Sequence, residues 1–216
     1  MIIIDYTKKH HIKIITACVL ALKQGRVVAY PTDTSYGLAA DASNVNAIKS
    51  LYEIKGRNFN KPSSVVVPFE SYVKKLVKLN KTASVLIKKF WPGALTVALG
   101  YSGKGIGYRK LCSVDGFLSL RMPKNQIALD LSIGLKKPIT ATSANLAGQP
   151  DCYSADEIIK QFKNEKLKPD IIINSGKLPK RKPSTVVKIV NDEKIEIIRQ
   201  GPVTEKQIVK VLGLRY

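Results

Sequence analysis

The sequence predicts an α/β fold, a twisted and mainly mixed β-sheet flanked by helices. Three observations predict it. Short apolar, β-branched runs alternate along the chain with segments whose apolar residues recur at helical spacing. Two late strand-like runs meet at Asn191-Asp192-Glu193 and read as a hairpin, which adds antiparallel pairing to the sheet. At 216 residues, 44% of them apolar, the chain is long enough to bury a core without disulfides or a structural metal.

Taken in order, Met1-Ile2-Ile3-Ile4 is stopped at once by Asp5, which is too short for a secretory apolar segment and reads as a buried first strand. Thr7 to Gln24 carries Ile12, Ile15, Val19 and Leu22 at helical spacing, with Gly25 as a stop. Arg26–Pro31 is a short strand that ends at its proline. Asn44 to Ile54 sets Val45, Ile48, Leu51 and Tyr52 on one helical face. Ser63–Val67 is β-branched and strand-like, and two helices are expected near Glu70–Leu79 and Thr82–Phe90. Pro92-Gly93 turns the chain into the strand Ala94–Leu99, and Gly100 to Gly116 is expected to be ordered but irregular. Leu118–Met122 (strand), Asn125–Leu135 (helix) and Pro138–Ala141 (strand) follow. Ser154 with Glu157, and Thr204 with Gln207, are capping boxes in sequence, the second opening the closing helix. Asp170–Asn174, Thr185–Val190 and Lys194–Arg199 complete the strands.

There is no internal repeat, low-complexity segment or long linker, so residues 1–216 are expected to form one domain. Apolar stretches such as Ala17–Leu22 fall far short of a membrane span, and a cytoplasmic protein is expected. Cys18, Cys112 and Cys152 are far apart and odd in number, which argues against a disulfide framework or a zinc site. His10 and His11 are adjacent and are the only histidines, leaving little for a His-based triad or metal cluster. Lys and Arg total 36 against 16 acidic residues, a formal net charge of +20. Such a chain attracts phosphates, whether of nucleotides or of RNA, and a lysine-rich solvated surface explains part of the excess equally well.

Three segments carry polar residues at element ends. Tyr30-Pro31-Thr32-Asp33-Thr34-Ser35-Tyr36-Gly37-Leu38 reads either as a Pro-initiated turn or as a hydroxyl-rich ligand loop at a strand end. Lys55-Gly56-Arg57 with Lys61-Pro62 reads either as a solvated helix terminus or as an anion clamp, with guanidinium fork and ammonium point charges. Thr140 to Asn145 reads either as caps and turns or as a surface that a substrate approaches closely.

Taken together in this order, the segments resemble the YrdC family. The likeness rests on Pro31-Thr32-Asp33-Thr34, Tyr36-Gly37-Leu38, Lys55 and Arg57 with Lys61-Pro62, Trp91-Pro92-Gly93, Leu95-Thr96, Leu120-Arg121-Met122-Pro123, Thr142-Ser143-Ala144-Asn145, Pro183-Ser184-Thr185-Val186-Val187 and Arg199-Gln200-Gly201. It runs from about residue 10 to 212. Lys55 and Arg57 combined with Ser143 and Asn145 are similar to the signature of the family's threonylcarbamoyl-AMP synthases, which the YciO-like branch lacks in full.

The resemblance implies a positively charged concave cavity. It implies Lys55 and Arg57 as catalytic residues, and Thr34, Arg121, Ala141 and Ser184 around L-threonine. Lys55, Arg57, Lys61, Ser143, Asn145, Asp151 and Arg199 would surround ATP. Mg2+ would be held mainly through the ATP phosphates, with no dedicated protein metal site. L-threonine, bicarbonate and ATP are the implied substrates. The product would pass to a separate tRNA threonylcarbamoyl-transferase complex, as the chain has no room for the extra C-terminal domain of longer members. Phe117 departs from the pattern, standing where many relatives carry a nucleotide-contacting hydroxyl. The rival expectations are a double-stranded-RNA or ribosomal-RNA binder of the same fold, using the positive charge without chemistry, and a carbamoyl-adenylate module of the kind found in hydrogenase maturation; tRNA or double-stranded RNA is also an expected partner.

Overall fold

Alternate residues of a strand point to opposite faces, so a strand apolar at every position must be covered on both sides. The run from Val27 to Tyr30 is such a strand. Val28 and Tyr30 join one apolar cluster while Val27 and Ala29 join another on the opposite face. The computed structural model describes residues 1–213. Its elements in chain order are β1 (Ile2–Asp5), α1 (His11–Lys23), β2 (Val28–Pro31), β3 (Tyr36–Ala39), α2 (Val45–Lys55), β4 (Val65–Val66), α3 (Glu70–Leu76), α4 (Lys81–Phe90), β5 (Leu95–Gly100) and α5 (Ile106–Lys110). They continue with β6 (Phe117–Arg121), α6 (Gln126–Leu135), β7 (Ile139–Thr140), β8 (Thr142–Ser143), α7 (Ala155–Phe162), β9 (Ile171–Asn174), β10 (Thr185–Ile189), β11 (Ile195–Arg199) and α8 (Glu205–Leu212).

The strands are mixed, as expected, but they hydrogen-bond as two sheets rather than one. Five strands run in the order β1-β9-β2-β3-β8, and six in the order β11-β10-β5-β6-β4-β7. In the first, β1, β9 and β2 are parallel, and the β2–β3 and β3–β8 pairs are antiparallel. In the second, β10–β5 and β4–β6 are parallel, and β10–β11, β5–β6 and β4–β7 are antiparallel. The crossing lies at Ala141, between β7 and β8. Its N–H donates to Ser64 O (2.7 Å), whereas one residue earlier Thr140 N–H donates to Ala40 O (3.0 Å). The Thr140 hydroxyl donates to Leu38 O (2.8 Å) and accepts from Ala40 N (2.9 Å), so this short segment is clasped from both sides.

Helices α1 and α6 cover one face of the five-stranded sheet through Ile14, Ile15, Cys18, Leu22, Ile127 and Leu131. On the other face, α2 and α7 pack through Ala47, Leu51, Ile54, Ile158 and Phe162. The six-stranded sheet buries Leu95, Val97, Leu118, Leu120, Val187 and Ile189 against α3, α4 and α8. No helix of the described residues is long and apolar enough to cross a membrane. Cys18, Cys112 and Cys152 are free thiols.

Four details differ from the sequence expectation. β1 pairs with β9 but lies at a sheet edge, leaving Ile2 and Ile3 exposed instead of buried. The polar segment after Pro31 contains β3, and the irregular stretch from Gly100 to Gly116 contains α5. At α7 the Ser154 hydroxyl accepts from Glu157 N as a cap should, but the Glu157 carboxylate accepts from Tyr153 N rather than Ser154 N, so the box is not reciprocal. The reciprocal box forms at α8, between Thr204 and Gln207.

Candidate functional site

The strand positions that turn away from the core of the six-stranded sheet share one cavity. Thr96, Ser119, Arg121 and Val186 line it, while their neighbours Leu95, Val97, Leu118, Leu120 and Val187 are in the core. The five-stranded sheet contributes Tyr30, Thr32, Thr34, Tyr36 and Gly37, and the crossing segment contributes Ala141, Thr142 and Ser143. The cavity therefore sits at the junction of the two sheets, with a volume of about 510 Å³. Gly37 lets the chain pass closely at the junction, as a Cβ there would lie 3.2 Å from the Tyr30 ring and 3.3 Å from Thr142 O.

Three guanidinium groups face this space, from Arg57, Arg121 and Arg199, against one lining carboxylate, Asp151. Each is held differently. Arg121, at the end of β6, donates to Asp33 Oδ1 (2.7 Å) and, at 3.5 Å, to the Thr34 hydroxyl. Arg57 donates to the Thr142 hydroxyl (3.2 Å) and to Pro62 O (2.7 Å). Arg199, at the end of β11, donates through Nε to Ser184 O (3.0 Å) and through its second amine to Ser184 Oγ (3.2 Å). Burial, reinforced by Arg121, pushes Arg199 below the ordinary range of its group, with Asp151 pulling the other way. Ser184 in turn shares a hydrogen bond with Thr96 (2.8 Å).

Among the described residues, the buried side-chain polar atoms without a partner are Arg57 Nε, Ser63 Oγ and Arg121 Nε, and all three residues line this cavity. Folded chains rarely leave such groups unsatisfied, and those they do leave call for an explanation. Unpaired donors beside an open, cationic space have the chemistry of a site built for a ligand rich in anionic oxygens.

The expected site residues divide into those that line the cavity, those behind its wall and one outside. Thr34, Arg57, Arg121, Ala141, Ser143, Asp151, Ser184 and Arg199 line it. Lys55 and Asn145 stand behind the wall. Lys55 is 3% exposed, and its ammonium donates to Ser143 O, Asn145 O and Asn145 Oδ1. Burial first, and then Arg57, lowers Lys55 to about 7. The Ser143 hydroxyl also donates to Asn145 Oδ1 (2.6 Å), so Lys55 organises this segment as a unit. Ala141 has already used its N–H on Ser64. Lys61 is not brought to the cavity: it is exposed on the turn before β4, and its carbonyl accepts from the Tyr52 hydroxyl (2.7 Å).

Asp33, Ser63, Ser64 and Ser119 were not singled out from sequence. The alternation of β6 was a signal for Ser119, two residues before Arg121. Nothing local marks Ser63. Phe117, at the start of β6, lies under the Lys188 ammonium, 4.5 Å from the ring centre, and does not line the cavity.

The loop after β11 presses against the wall at Gly201, where a Cβ would lie 2.2 Å from Pro183 O and 2.5 Å from Thr185 N. Gly201→Ala is therefore expected to displace Ser184 and Arg199 and to destabilise the protein by about 1–3 kcal/mol. Urea unfolding measures the loss, and an unchanged midpoint would show that the loop yields without disturbing the wall.

Comparison with known proteins gives consistent matches. The family described as Sua5_yciO_yrdC, "Telomere recombination", matches residues 20–201. A Methanocaldococcus jannaschii relative, provisionally named a threonylcarbamoyl-AMP synthase, is 37% identical over 186 residues, covering 86% of this chain and 84% of its own length. The Bacillus subtilis threonylcarbamoyl-AMP synthase is 34% identical over 193 residues, covering 89% of this chain and 54% of its own length. The crystal structure of Pyrococcus abyssi Sua5 complexed with L-threonine matches with a TM-score of 0.89 at 32% identity, over 99% of this chain and 61% of that one. The chain thus spans most of the first relative and little more than half of the other two.

Proposed function

This chain belongs to the Sua5/YciO/YrdC family, and from that footing we propose that it is a threonylcarbamoyl-AMP synthase. It converts L-threonine, bicarbonate and ATP to L-threonylcarbamoyl-AMP and diphosphate, for modification of tRNA next to the anticodon. The observation that carries the proposal is the convergence of Arg57, Arg121 and Arg199 with a ring of hydroxyls on one cavity at the junction of the sheets. An RNA backbone asks for positive surface charge. It does not ask for three individually braced guanidinium groups, one of them buried, around a cavity of small-molecule size.

The chemistry fits the residues. The threonine amine attacks the carbon of CO2 with loss of a proton, or that of bicarbonate with loss of water, to give a carbamate. A carbamate oxygen then attacks the α-phosphorus of ATP, and the bond to the bridging oxygen breaks as diphosphate leaves. Negative charge gathers at both steps on oxygens that guanidinium donors stabilise. Arg121, Thr34, Ala141 and Ser184 take the threonine end. Arg57, Ser143, Asp151 and Arg199 take the nucleotide end, with Lys55 and Asn145 shaping the wall between Arg57 and Ser143. Lys55 and Arg57 remain the residues most tied to turnover.

No group of three or more His, Cys, Asp or Glu side chains able to hold a metal occurs among the described residues. Asp33 is committed to Arg121, so Asp151 is the lining carboxylate able to face a metal–nucleotide complex. Mg2+ would supply charge neutralisation to the phosphates and reach the protein through them. The chain works as one domain in the cytoplasm, passing an unstable product to a separate tRNA-modifying complex.

Purified protein given Mg-ATP, bicarbonate and threonine is expected to release diphosphate, at a rate that falls to background when threonine is omitted. A threonine-independent rate would remove the assignment. A salt-resistant complex with tRNA or double-stranded RNA and no diphosphate release would establish the binding rival instead.

A further inference from the structure

Resting on the synthase reading above, we propose that Ser63 is a further nucleotide-binding residue, whose hydroxyl turns into the cavity to bond a phosphate oxygen shared with Arg57. Ser63 is 5% exposed and lines the cavity, yet its hydroxyl has no partner. Other buried hydroxyls nearby are satisfied. Thr32 donates to Ser35 O (2.7 Å), Thr140 to Leu38 O (2.8 Å) and Ser132 to Val66 O (3.1 Å), while Thr96 and Ser184 bond each other (2.8 Å). Among the described residues, Ser63 Oγ is the one fully buried hydroxyl oxygen without a partner, and such an exception calls for an explanation.

The position identifies the ligand chemistry. Ser63 directly follows Pro62, whose carbonyl accepts from the Arg57 guanidinium at 2.7 Å. The guanidinium also meets the Thr142 hydroxyl at 3.2 Å, and its Nε is unpaired too. Ser63 thus follows the residue that braces a cavity-lining guanidinium, and an anionic oxygen bound by that guanidinium is a natural partner for its hydroxyl. Threonine's carboxylate has a different cation, Arg121, braced by Asp33 on the turn between β2 and β3. The oxygen near Ser63 therefore belongs to the nucleotide phosphates. The backbone at Ser63 is fixed by its N–H bond to Leu111 O (3.1 Å). In the complex the hydroxyl would come round by rotation about the Cα–Cβ bond.

Removal of an orphan and removal of a ligand contact act on stability and affinity in opposite ways. A buried hydroxyl without a partner lowers the stability of the free protein, so its loss is neutral or favourable to folding. If the same hydroxyl donates to a phosphate in the complex, its loss weakens binding. The test titrates Mg-ATP and, separately, L-threonine into the full chain by calorimetry, alongside thermal melts of the free proteins. Ser63→Ala is expected to melt at the same or a higher temperature, to bind Mg-ATP about ten-fold more weakly, and to bind threonine unchanged. Ser63→Thr, which keeps the hydroxyl, is expected to retain most of the nucleotide affinity.

Unchanged Mg-ATP affinity in Ser63→Ala would overturn the proposal and leave Ser63 a structural orphan. Equal weakening of both ligands would overturn it as well, by exposing a general loss of the wall. Failure of the unsubstituted protein to bind Mg-ATP is a separate outcome, which sinks the synthase reading itself and this inference with it.

Discussion

Lys55→Met is expected to lose at least about 100-fold in turnover and to melt earlier than the unsubstituted protein. Methionine fills the same space on α2 but donates no hydrogen bond. Three acceptors, Ser143 O, Asn145 O and Asn145 Oδ1, then lose their shared donor in a buried setting. Each such loss costs on the order of 1–3 kcal/mol where water cannot substitute. Only the bond from Ala147 N–H to Lys55 O (2.8 Å) still ties this segment to the end of α2. The pH dependence follows from the same residue. Burial, then Arg57, brings its ammonium down to about 7 from its ordinary value of 10.5, with Asp151 opposing. Between those two values the unfolded chain holds a proton that the folded chain has lost, so this group makes stability rise with pH across that window. Below about 7 the penalty of the buried charge is present in full. Turnover moves the other way, because deprotonation removes one of the three N–H donors and loosens Ser143 and Asn145. Thermal melts from pH 6 to 10 are expected to show a rising contribution in the unsubstituted protein that Lys55→Met lacks. Parallel melting curves for the two proteins would refute this account of Lys55.

The contrast between Lys55 and Lys61 marks the limit of what the sequence could convey. A run of cations near a helix end says that anions are attracted there, but not which cation turns inward. In the structure, the end of α2 aims Lys55 behind the wall, a turn carries Arg57 to Pro62 O, and Lys61 stays outside. Strands with clean alternation were legible: Leu95 to Val97 and Leu118 to Arg121 separate core from cavity residue by residue. β3 was not, because Tyr-Gly-Leu-Ala has weak strand propensity and follows a turn-like run. Its pairing with β2 and β8 makes it a strand. α5 was hidden by glycines, and Gly107 is there for a tertiary reason. A Cβ at that position would lie 2.6 Å from the backbone of Ser43, which packs against it. The chain passes from one sheet to the other within Thr140 to Thr142, and no local pattern announces that. The lining residues were legible chiefly through the family resemblance. The partnership of Asp33 with Arg121 and the isolation of Ser63 arise only when distant segments meet.

Asp33→Asn and Arg121→Met are expected to separate stability from substrate recognition. Both side chains are 8% exposed, and the guanidinium meets the carboxylate at 2.7 Å. Asparagine keeps the shape and an acceptor but removes the charge, leaving a buried guanidinium without its counter-ion. Breaking a buried pair from one side costs about 3–5 kcal/mol, and asparagine's remaining acceptor puts the expected loss near the lower end. Arg121→Met strands the Asp33 carboxylate and is expected to cost a similar amount. The double variant removes both charges, so its stability is expected to lie above the sum of the two single losses, with a coupling of about 1–3 kcal/mol. Threonine recognition follows another order. Asp33→Asn retains the guanidinium and is expected to change kcat/KM for threonine by less than about ten-fold, since roughly 1.4 kcal/mol corresponds to that factor. Arg121→Met and the double variant both lack the carboxylate's partner and are expected to lose about 100-fold or more. Urea unfolding gives the first set of values, and diphosphate release at varied threonine gives the second. Additive stability losses would show that the pair is not coupled, and threonine kinetics left intact by Arg121→Met would take Arg121 out of the site. If both sets come out as expected, Asp33 acts by holding a buried charge in place and Arg121 by meeting the substrate with it.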